Sequence, residues 1–177
     1  MRLLIHNHGL AFKDADGIWI QSYLGYWVSE IAKHVESVGL LLPESKKKLE
    51  TQDCLVSAEN VRLESLGINE EFKNKIEKFR YIRKKCKSLK SYTHLLVRGS
   101  TPRQWSVVKN TPINNKHFLF VGCLTDVQKV KLCNVNDIVN ALFFKYRLYE
   151  LKKISRICKI SANSPITADE FKLKYNC

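Results

Sequence analysis

At 177 residues and 45% hydrophobic content, the chain is long enough to bury one core and too apolar to be disordered. Thirty Lys and Arg against 17 Asp and Glu leave a formal charge of +13, which favours anionic partners such as nucleic acid, phosphorylated ligands or acidic lipid headgroups. No run approaches the roughly 18 apolar residues a spanning helix needs, and the opening MRLLIHNHGLAF is too short and too polar for a signal peptide. A soluble protein, or one lying on a membrane surface, is expected.

Short apolar runs alternate with helical patterns along the chain. RLLIHN (2–7) reads as a first strand, and GYWVSEIAKHVESV (25–38) has helical spacing through Trp27, Ile31, His34 and Val38. VGLLLP follows as a second strand and ENVRLESLG (59–67) as a third. The stretch 71–90 spaces Phe72, Ile76, Phe79, Ile82, Cys86 and Leu89 three or four apart, an amphipathic helix. THLLVRG is then a strand, PRQWSVVKN a short helix and HFLFVG a strand. NDIVNALFFKYRLYELKKIS is a long helix, RICKIS a last strand and TADEFKLKY a final helix. Segments 10–24 and 43–58 read as loops, the second holding Lys46, Lys47 and Lys48. Strands alternating with helices predict an α/β fold, a Rossmann-like, doubly wound, mostly parallel sheet in a single domain spanning 1–177.

The cysteines Cys54, Cys86, Cys123, Cys133, Cys158 and Cys177 are scattered, without a C-x-x-C pair, as in a reducing compartment. They do not group with the histidines as a zinc site requires. The first turn holds a single glycine, so there is no G-x-G-x-x-G, and neither a P-loop nor a G-x-S-x-G elbow occurs. These absences argue against dinucleotide enzymes, P-loop nucleotidases and α/β-hydrolases.

In open α/β sheets ligands bind beyond the carboxyl ends of the strands, where strand order reverses. Four such ends are polar: His6-Asn7-His8-Gly9, Arg98-Gly99-Ser100-Thr101, Gly122-Cys123-Leu124-Thr125-Asp126 and Ala162-Asn163-Ser164. Together they predict one polar cleft. Thr101, Pro102 and Gln104 make a capping box for the helix that follows. Arg98, at a strand exit, suits phosphate or carboxylate groups but equally a structural ion pair. Asp126 either caps a helix beginning at Val127 or serves the cleft. Of His6 and His8, at most one is expected to face the cleft.

The helix 71–90 holds nine Lys or Arg against Glu71 and Glu77. That is a solvated face or a contact for an acidic surface. Nucleic-acid binding has less behind it, since no helix-turn-helix spacing, RNP-like strand or zinc module is visible.

LLVRGSTPRQWSVVKN, followed by HFLFVGCLTDV, resembles the amino-terminal half of retaining glycosyltransferases of GT-B fold, the group 1 (family 4) class. There too a strand ends in an arginine with a Pro-containing turn into a short helix, and the next strand ends in V-G before a small loop and an aspartate. GYWVSEIAKHVESVGLLLPES looks like the first helix and second strand of such enzymes.

The resemblance implies a hexosyltransferase-like enzyme whose amino-terminal half supplies the acceptor side of an interdomain cleft, for a glycan or lipid-linked acceptor. The nucleotide-sugar donor would bind mainly to a carboxyl-terminal half that is not in this chain, and no cofactor is implied. Carried over to this sequence, Asp126 becomes the catalytic-site candidate. Thr125, Arg98, Gly99 and Ser100 become substrate-binding candidates, joined by His8 from the polar strand end, and Gly17 falls in the loop that approaches the donor phosphates. Two departures stand out: the first turn NHGLAF has less glycine than the family's, and the chain stops near the expected hinge. Such a half, alone, is expected to be catalytically silent. A cytoplasmic protein, peripheral at the inner membrane face and held to anionic lipid by its basic helix, would fit the charge. The rival readings are a non-catalytic α/β glycan- or protein-binding domain, another GT-B-like transferase such as a pyruvyl transferase, and, last, a nucleic-acid binder.

Overall fold

The computed structural model describes residues 1–99, 104–121 and 149–163, with 145, 146, 165, 168 and 169 beside them. The chain is α/β. Its main sheet has six strands: β1 (Arg2–His6), β4 (Ser37–Leu41), β6 (Val61–Leu63), β7 (His94–Gly99), β8 (Asn115–Phe120) and β9 (Lys159–Ala162). All pairings are parallel, in the order β6-β4-β1-β7-β8-β9. Taken as first to sixth, these strands stand 3-2-1-4-5-6, the Rossmann-like doubly wound order. The order reverses between β1 and β7.

Helix α1 (Ser22–Ala32) packs on one face of the sheet, where Leu24 and Val28 join Leu3, Ile5, Val38 and Leu40. Helices α2 (Lys75–Ser88) and α3 (Gln104–Asn110) cover the other face. There Ile82, Cys86, Val107 and Val108 meet Leu4, Leu95, Val97 and Phe118, together with Leu151 and Ile154 from helical residues 149–155. Opposite faces are what right-handed crossovers demand when the chain moves first one way and then the other from β1.

The central strands β1 and β4 are buried on both faces, as their continuous apolar runs predict. Strand β7 instead alternates buried with half-buried positions: Leu95 and Val97 face α2 and α3, while Leu96 and Arg98 lie on the α1 side.

The segments expected to be loops are the main correction to the reading of the sequence. Residues 10–24 contain β2 (Phe12–Lys13), β3 (Ile18–Ile20) and the start of α1, and residues 43–58 contain β5 (Cys54–Val56). These three strands form a second, antiparallel sheet in the order β2-β3-β5. Ile18, Ile20 and Val56 bury against the α1-side core, so the sheet is part of the fold rather than a surface excursion. The Lys48 ammonium sits over the Trp19 ring, and Gln52, fully buried, bonds Ser45 and the Leu49 amide. Helix α1 accordingly begins three residues earlier than its apolar spacing suggests, directly where β3 releases the chain. The third strand is much shorter than 59–67, and the long helix is described only in its last turns. The final helix beyond residues 168 and 169, the capping residues Thr101 and Pro102, and the cysteines Cys123, Cys133 and Cys177 lie outside the described residues.

Candidate functional site

The strand reversal between β1 and β7 opens a cavity of about 350 Å3, lined by His8, Gln21, Tyr23, Arg98, Gly99 and Val121. Three structural units meet there. β1 delivers the His6–Gly9 turn, the small sheet delivers Gln21 and Tyr23 at the start of α1, and β7 delivers Arg98 and Gly99 at its exit.

Arg98 is half-buried, with its guanidinium over the Tyr23 ring at 4.8 Å from the centroid. The stack orients the planar group while leaving its N–H fork available. Among the described residues no carboxylate pairs with it; the ion pairs there join the amino terminus with Glu36, Lys33 with Glu30, and Lys85 with Glu64. Of the two sequence readings of Arg98, the described residues supply no partner for the structural ion pair.

The turn after β1 is built by Asn7, whose Oδ1 accepts from the His8 amide at 2.6 Å and the Gly9 amide at 3.4 Å. Its Nδ2 is buried and has no hydrogen-bond partner among the described residues. The neighbouring His6 donates from Nδ1 to the Leu41 carbonyl oxygen at 2.8 Å, which leaves Nε2 buried and, among the described residues, also without a partner. Burial holds the His6 pKa down to about 4, so the ring is neutral and Nε2 is an acceptor. Among the described residues, consecutive positions at the carboxyl end of β1 thus carry an unmet acceptor and an unmet donor. Buried polar atoms are rarely left so, and each costs about 1–3 kcal/mol. The strand ends at His6, so the turn sends His8 outward to the cavity while His6 stays inside. One histidine of the two faces the cleft.

Gly99 lines the cavity, but its missing side chain serves the opposite face. A Cβ there would run into the Phe118 ring, which fills that space from β8. Gly17 does not line the cavity. It closes the β2–β3 hairpin at φ 145°, with Asp14 accepting from the Asp16 amide at 3.0 Å and from the Gly17 amide at 3.2 Å. Ser100, Thr125 and Asp126 lie outside the described residues. Of the seven candidates read from the sequence, His8, Arg98 and Gly99 come together. Gln21 and Tyr23 were missed, and Asn7, read only as part of the polar rim, builds the turn without lining the cavity. The one available signal was Tyr23, an aromatic at the polar start of a helix.

A larger cavity, about 720 Å3, opens at the opposite, amino-terminal rim on the half-covered side of β7, β8 and β9. It lies away from the strand reversal, and nothing in the structure shows what covers it. The thiols of Cys86 and Cys158 are pushed up to about 11, chiefly by burial, and stay protonated at neutral pH. No group of His, Cys, Asp and Glu among the described residues is arranged to hold a metal ion. Among them, too, no helix is long and apolar enough to cross a membrane. No protein-family model, curated protein or solved structure matches the chain.

Proposed function

We propose that this chain is the acceptor-side half of a GT-B-type glycosyltransferase, and that the cavity between β1 and β7 takes a glycan or lipid-linked acceptor facing a nucleotide-sugar. The observation behind this reading is Arg98, stacked on Tyr23 and without a carboxylate partner among the described residues, at the strand reversal. A guanidinium in that setting binds phosphate or carboxylate by paired N–H bonds. The His8 and Gln21 side chains, which line the cavity, add polar groups suited to sugar hydroxyls. The resemblance in LLVRGSTPRQ and HFLFVGCLTD supplies the transferase chemistry, with Asp126, Thr125 and Ser100 as the further site candidates.

A second reading rests on a specific observation: the cavity's described lining contains no carboxylate to act as a base or nucleophile. A domain that binds an anionic glycan without transferring anything would have the same lining. Titration with nucleotide-sugars, nucleoside diphosphates and acidic oligosaccharides tests both. Arg98→Ala weakens binding by about tenfold to a hundredfold under either reading, the loss of one charge-assisted contact. Release of nucleoside diphosphate from a nucleotide-sugar separates them. The chain alone is expected to release none, and the chain supplied with a donor-binding half is expected to do so only in the transferase case.

A further inference from the structure

We infer that α2 is a membrane-docking helix, whose outward strip Ile76, Phe79, Arg80, Arg83 and Lys87 inserts into the headgroup layer of an anionic bilayer. The helix buries only Ile82 and Cys86. At 100° per residue its outward side divides unevenly, and the five named residues, spaced 3, 4, 7 and 11 from Ile76, share one strip. Two of them are large and apolar, yet Ile76 is 66% and Phe79 49% exposed. The other three are cations, and among the described residues none of them pairs with a carboxylate. Lys85, by contrast, is turned inward and committed to Glu64 at 2.7 Å.

Apolar side chains set among arginines and lysines on one helical face are the pattern of an interfacial helix. The apolar groups enter the acyl boundary while the long cationic side chains reach up to lipid phosphates. A nucleic-acid face would use the cations equally but would gain little from an exposed isoleucine, because phosphate contacts dominate there. The combination favours lipid over nucleic acid. Placement agrees with this. As the crossover between β6 and β7, α2 runs antiparallel to the strands, so Ile76 and Phe79, in its first half, lie towards the carboxyl rim where Arg98 leaves β7. A bilayer held by this strip would lie on the cleft side of the molecule.

Flotation with vesicles of phosphatidylcholine alone, and of phosphatidylcholine doped with phosphatidylglycerol, tests the inference without any assay of transfer, so its outcome is independent of the transferase reading. The expected result is binding to the doped vesicles only, weakening as salt rises. Ile76→Ser with Phe79→Ser should weaken it about tenfold, since both side chains lose their burial in the interface, with an unchanged thermal melt. Arg83→Gln with Lys87→Gln should weaken binding and flatten its salt dependence. Three outcomes would overturn the inference: equal binding to both kinds of vesicle, binding untouched by the two serines, or displacement of the vesicles by single-stranded RNA bound through Arg83 and Lys87.

Discussion

His6 sits at the carboxyl end of β1, a strand buried on both faces, and its neutrality makes the fold sensitive to acid. Its pKa falls from 6.5 to about 4 because burial removes the water an imidazolium needs, a loss only partly offset by the bond to Leu41. The sign follows directly. Between those two values the unfolded chain binds a proton that the native chain refuses, so stability drops as pH falls through this window. The loss approaches about 1.4 kcal/mol per pH unit. Urea titrations from pH 6.5 to 5 should show this slope in the parent and lose it in His6→Gln. At Gly99 the expectation concerns packing. A methyl directed at the Phe118 ring overfills the core and costs about 1–3 kcal/mol. Shrinking the ring in Gly99→Ala with Phe118→Leu should recover part of that loss, read as a coupling energy in a double-mutant cycle. Neither role was legible in the sequence. Gly99 reads as a substrate-binding candidate at a polar strand end, and the ring that requires it lies on the neighbouring strand, nineteen positions along the chain. Gly17 reads as a loop residue near a donor and is instead a hairpin glycine, with φ positive and Leu55 and Val56 crowding the missing Cβ.

Among the elements, α2 was the most legible because its apolar residues recur at helical spacing over fourteen residues. Its start is held by Asn74, whose side chain accepts from the Glu77 amide at 2.9 Å, while Glu77 accepts from the Lys73 amide at 2.9 Å. This is a near relative of the capping box, and Asn74→Ala should cost about 1 kcal/mol in a thermal or urea melt. Further along, Glu64 ties the helix to the end of β6, accepting from Lys85 and from Tyr92, each at 2.7 Å. Burial and this carboxylate both push the Tyr92 hydroxyl pKa up, so it remains a donor to Glu64 throughout the neutral range. The small sheet was the least legible element. Strands of two and three residues cannot display a period of two, and their pairing joins residues 18–20 to 54–56, a distance that local patterns do not record. The same blindness hid the site's third wall, because Gln21 and Tyr23 reach the cavity only through the chain direction that β3 imposes.

Strand order, by contrast, was implicit in the alternation of apolar runs and helices. Such alternation leaves few arrangements once crossovers are short and right-handed. From the order follows the reversal point, and from the reversal point the cavity holding His8 and Arg98. Its chemistry did not follow. Arg98 and Tyr23 are seventy-five positions apart, and nothing local joins them. Protection against hydrogen exchange should divide the molecule by burial. Amides of β1, β4 and β7 are expected to open only with global unfolding, and those of β9 and the β2–β3 hairpin well before it, a ranking measurable by native-state exchange.

The pairing of β1 with β7 also sets a timetable. β1 meets β4 across 35 positions of chain, Leu3 to Val38, but meets β7 across 91, Leu3 to His94. Closing the longer span costs about 0.9 kcal/mol more in chain entropy, and long-range parallel pairing slows folding. The half of the sheet carrying α1 can therefore assemble before the cleft exists. During refolding, recovery of ligand binding should lag behind recovery of helix, so the cleft would be a kinetic marker for the last long-range step.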